Sequence, residues 1–73
     1  MLNKEILEVK IEEQNLVIQE LNSFSGTIEN EREKAKSKEI KEFLGLTLKE
    51  VNKNLEIEEF ILNELNTDFK RFE

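Results

Sequence analysis

Proline is absent from this chain, and glycine occurs at two positions only, Gly26 and Gly45. Without these residues little in the backbone resists a helix, and the abundant Glu, Lys, Leu and Ile lose little rotamer freedom in one. The expected fold class is therefore all-α, in one helical domain over residues 1–73. The glycines become the punctuation. Gly26 follows Asn22-Ser23-Phe24-Ser25, which reads as a helix ending in a left-handed glycine cap. Thr27 then serves as N-cap of the next helix, with Glu29 and Glu31 near its start. Gly45 presents two readings. It can cap a helix, and Thr47-Leu48-Lys49-Glu50 has capping-box spacing. Against a break, Ile40, Phe43 and Leu44 share an angular face with Leu48 to Phe72 on one continuous helix. A break at 45–47 gives a three-helix bundle with helices about 2–24, 28–44 and 47–72. Continuity gives a helical hairpin with a long C-terminal helix.

Apolar patterning says what these helices face. Over Leu2 to Phe24 the apolar residues spread across an arc of roughly 220°, against a stripe of about 100° for a helix with one neighbour. Such a helix is expected to touch two others. Toward the C-terminus, Leu48, Val51, Leu55, Glu58, Leu62, Leu65, Phe69 and Phe72 alternate in steps of three and four, a coiled-coil seam. Its apolar members, together with Phe60, are the expected interface for self-association or for a partner. Phe60 points away from the Leu48 and Leu55 side, so it is a candidate outside contact. Glu58 is the one charged member of the seam and marks a register device or an opening to solvent. Residues 29–39 hold a single apolar side chain, Ala35, and read as a solvated helix with pairs such as Glu31 with Lys34 and Lys38 with Glu42.

Composition narrows the function classes. With no cysteine or histidine there is no disulfide, and a structural zinc site has no ligands, so neither metal nor cofactor is expected. A chain of 73 residues buries a small share of its surface, and the reinforcement left to it is regular packing or self-association, most simply a dimer. Catalysis is not expected, because His, Cys, Tyr and Trp are all missing and the usual nucleophile and base pairs cannot be built. Carboxylate pairs such as Glu8 with Glu12, Glu29 with Glu33 and Glu56 with Glu59 lack the inward histidines of di-metal bundles. No apolar run exceeds three residues, so no membrane span and no secretory segment is expected, and the reading is cytoplasmic. The net charge of −6 disfavours nucleic acid and anionic lipid.

One segment points elsewhere. Ile40 to Val51 resembles the turn of helix-turn-helix DNA-binding proteins, with Leu44, Gly45, Leu46, Thr47 and Val51 at the motif's buried, turn, apolar, cap and anchor positions. It departs from the pattern at Lys41, where the motif calls for a small residue. The resemblance implies a DNA-binding regulator, but its recognition helix would carry Glu50, Glu56, Glu58 and Glu59 toward phosphates.

These features lead to a protein–protein interaction module (an adaptor, chaperone-like or regulatory subunit) acting through amphipathic helix faces. A second reading is an acidic inhibitor whose Glu56, Glu58 and Glu59 occupy a nucleic-acid-binding site on a basic partner. The helix-turn-helix regulator is the third.

Overall fold

The computed structural model describes residues 3–72 and contains two helices, α1 (Lys4–Lys34) and α2 (Lys38–Lys70), folded back on each other as an antiparallel hairpin. Leu2, counted in the apolar arc, lies outside the described residues. With 31 and 33 residues the arms are nearly equal, and they form a rod of 53 × 17 × 14 Å. The rod is a single layer of two helices, whereas most domains close a core between packed layers.

One seam holds the arms together. On α2 it is the one read from the sequence as far as Phe69, through Leu48, Val51, Leu55, Glu58, Leu62 and Leu65, and extended back to Leu44; Phe72, the last member in that reading, lies beyond the helix and is exposed. On α1 it runs through Leu7, Ile11, Gln14, Ile18, Leu21, Ser25 and Ile28, in the same alternating steps of four and three. Ile28, Val51 and Leu55 are buried, and Ile18, Leu21, Leu44 and Leu48 pack against them. Leu7 is covered near the open end, beside Asp68, Arg71 and Phe72. Lys4 Nζ lies 5.4 Å from the centre of the Phe69 ring there, a cation–π contact.

The turn expected at 25–27 is not formed: α1 passes straight through Gly26, and no glycine among the described residues has positive φ. Magnitudes explain the difference. A glycine inside a helix costs about 1 kcal/mol, while continuing α1 buries Ile28, worth roughly 1.5 to 3 kcal/mol. Thr27 does not cap either. Its hydroxyl donates back to the Ser23 carbonyl at 3.1 Å, a bond that belongs to a helix interior. The break at 45–47 is also absent, so the three-helix arrangement gives way to the hairpin. Leu44 and Leu48 both serve the seam, and Thr47 donates to the Phe43 carbonyl at 3.0 Å instead of capping.

The chain reverses instead inside the stretch expected to be a solvated helix. Ala35 and Ser37 are extended, with ψ of 132° and 131°, and need no glycine. Ser37 caps α2 by accepting from the Ile40 amide at 3.4 Å. Arg32 and Lys34 close α1 and Glu39 opens α2, each the charge that its helix end favours. Good helix formers gave no local warning of this reversal. The reason is global: with one apolar residue between 29 and 39, the seam is sacrificed there at least cost. The close ion pairs among the described residues are Glu50 with Lys53 and Asp68 with Arg71, both at 3.6 Å, in place of the pairs expected near the reversal.

Candidate interaction surface

Among the described residues twelve large apolar side chains are exposed, and their placement is one-sided. In an antiparallel helix pair, two rows of residues flank the seam, one on each side. On one side lie Lys10, Val17, Phe24 and Glu31 of α1 with Ile40, Thr47, Asn54, Ile61 and Asp68 of α2. On the other lie Glu8, Asn15, Asn22 and Glu29 with Lys38, Gly45, Asn52, Glu59 and Asn66. The first side carries Val17, Phe24, Ile40 and Ile61, with Ile6, Phe43 and Ile57 in the next rows out. Val9, Leu16, Leu46 and Phe60 stand at the outer edges, and Phe72 lies just beyond α2. Among the described residues the second side exposes no large apolar residue.

Two grooves confirm which residues share a side. Val17, Leu21 and Phe24 line one together with Asn54 and Glu58 across the seam, and Glu20 stands at its edge. Glu29, Arg32 and Glu33 line another with Lys41 and Leu48 on the opposite side. The first has an aromatic and aliphatic wall; the second is walled mainly by charge.

The expected interface residues divide in two. Leu48, Val51, Leu55, Leu62, Leu65 and Phe69 are turned toward α1 of the same chain and lie buried or half-buried in the seam of the hairpin. Phe60, 64% exposed, and Phe72 stay accessible. The acidic trio divides as well. Glu56 and Glu59 are exposed on the polar side, while Glu58 lies in the seam. There the Gln14 side-chain amide donates to the Glu58 carbonyl at 2.9 Å and to its carboxylate. Glu58 is thus held by a partner in α1 that fixes which residues face each other.

Sequence reasoning missed the face built by Val17, Phe24 and Ile61. The available signal was the α1 seam. Once Leu7 to Ile28 is traced in steps of four and three, the wide arc separates into a seam plus the exposed stripe Ile6, Val9, Leu16, Val17 and Phe24. Gln14 and Ser25 hid it by placing polar side chains in the seam.

The geometry also bears on other chemistries. The corner that the helix-turn-helix resemblance needs is not formed, since Gly45 is inside α2 with the Arg32 guanidinium alongside its Cα. Among the described residues no three carboxylates gather as a potential cation site. Among the described residues no helix is long and apolar enough to cross a membrane.

Fold and surface together define a two-helix antiparallel hairpin with one apolar and one polar side. Comparison of the chain with protein-family models, with curated protein sequences and with solved structures gave no match.

Proposed function

We propose that this chain is a helical protein–protein interaction module, a small adaptor, chaperone-like or regulatory subunit that binds other helices through the apolar side of its hairpin. The observation that carries the reading is the one-sidedness. Scattered surface leucines are ordinary in a monomer, but here, among the described residues, exposed large apolar side chains run along one side from Ile6 to Ile40 while the opposite side has none.

Surface area supports it. The chain presents 5867 Å², whereas a compact monomer of 8.7 kDa presents about 4,700 Å². The excess, about 1,100 Å², is comparable to one partner's share of a specific interface, about 800 Å². Covering the apolar side, with a second copy as a dimer or with another protein, removes that excess.

Side-specific charge insertion tests the reading. Val17→Glu and Ile61→Glu act on the apolar side, and Asn15→Glu and Asn52→Glu are their counterparts on the polar side. Binding of an environment-sensitive apolar dye to the folded chain, with helicity followed by circular dichroism, is expected to fall for the first pair only. Equal dye binding in all four variants, or none by the parent chain, contradicts the proposal.

A further inference from the structure

We infer that the apolar side takes one amphipathic helix with basic flanks, supplied by a different protein and laid along the hairpin as a third helix. This rests on the reading of that side as the binding surface, and the rim around the apolar residues adds the partner's chemistry. Beside the Val17 and Phe24 row, α1 places Glu13 and Glu20; beside the Ile61 row, α2 places Glu50 and Glu64. Of these, Glu50 alone has a close cation among the described residues, Lys53. The groove at Phe24 has the same composition in miniature, with Glu20 and Glu58 around an apolar wall. The basic residues of the flanking and rim rows on this side are Lys10 together with Lys34 and Arg71 at the C-terminal ends of the two helices, Arg71 being paired with Asp68, so none stands beside the central Val17, Phe24 and Ile61 stretch.

Such a rim discriminates between occupants. A second copy laid on this side by a twofold axis, in either orientation, sets acidic rim against acidic rim in two chains of net charge −6. Like-charge juxtaposition of this kind suppresses a wrong partner. A helix with an apolar stripe and Lys or Arg on both flanks satisfies the stripe and the rim together. The middle of the row, from Ile61 through Val17, Asn54 and Phe24 to Thr47, is uncharged, so the partner's apolar stripe is centred there. A partner helix of about 20 residues, roughly 30 Å, fits well within the 53 Å rod.

The probes are two synthetic helices of about 20 residues with the same leucine stripe, one flanked by lysine and one by glutamate, titrated into the full chain by calorimetry. The lysine-flanked helix is expected to bind one to one, at least about tenfold tighter than the glutamate-flanked one, and to weaken as salt is raised. Glu13→Lys with Glu20→Lys is expected to shrink that preference about tenfold, and Phe24→Glu to abolish binding while helicity is kept. Sedimentation of the chain alone completes the test. A stable dimer that binds neither probe makes the occupant a second copy, which overturns this inference and leaves the interaction reading standing. A monomer that binds neither probe overturns both. Lysine-probe binding that survives Phe24→Glu means diffuse attraction to an acidic chain, and overturns the assigned site.

Discussion

Gln14 and Glu58 are polar members of the seam, as is Ser25, and these two face each other from opposite arms. A polar residue at such a position gives up burial energy and gains register, because a shifted pairing leaves both groups without a partner. Gln14→Ala and Glu58→Ala are expected to be non-additive, with a coupling of about 1 kcal/mol in a denaturation double-mutant cycle. Strict additivity would remove the pair from the account of register. Replacing both by leucine is expected to raise the denaturation midpoint, since it makes the seam apolar from Leu7 to Leu21 on α1 and from Leu44 to Phe69 on α2. Leu7 offers the opposite test. It is 1% exposed, the most buried side chain described, and Leu7→Ala is expected to cost about 3 kcal/mol, a large share of a small hairpin's stability. Glu58 stood out in the sequence as the odd member of a regular seam. Its partner did not, because Gln14 looks like any polar residue until the two arms are aligned.

At the scale of the helix, the C-terminal half was legible and the connections were not. The spacing from Leu48 to Phe72 predicts a continuous seam, and α2 uses its members as far as Phe69 in that phase. The glycines misled because local punctuation is weaker than one buried isoleucine: Gly26 favours an end, and Ile28 outweighs it. The actual reversal has neither glycine nor proline, so only the need to pair two long stripes locates it. Gly26→Ala distinguishes the two views. Beyond its chain neighbours and its own stretch of helix backbone, no atom lies within 4 Å of a Cβ added there, so the continuous helix predicts stabilisation by about 1 kcal/mol in thermal or chemical unfolding. A left-handed cap at Gly26 would instead make alanine destabilising. Ser37→Ala removes the α2 cap and is expected to cost about 0.5 to 1 kcal/mol, the low end because the bond is long at 3.4 Å.

For the whole molecule, shape and function are the same question. A two-helix rod has a radius of gyration of 16.5 Å, while a compact domain of 73 residues has one of about 11 Å. Solution scattering from the monomer near the larger value supports the open hairpin, and a value near the smaller one indicates a closed bundle. An open hairpin has exposed sides, and the distribution of its isoleucines and phenylalanines makes those sides unequal. That inequality was hidden in the sequence, since the seam and the exposed stripe of α1 merge into one broad arc until the fold separates them. Mapping backbone amide shifts by NMR as the lysine-flanked helix is added tests the account most directly. The account predicts changes concentrated around Val17, Phe24, Asn54 and Ile61, with Asn15, Asn22, Asn52 and Glu59 little affected; changes centred on the latter group, or spread evenly around the rod, would contradict it.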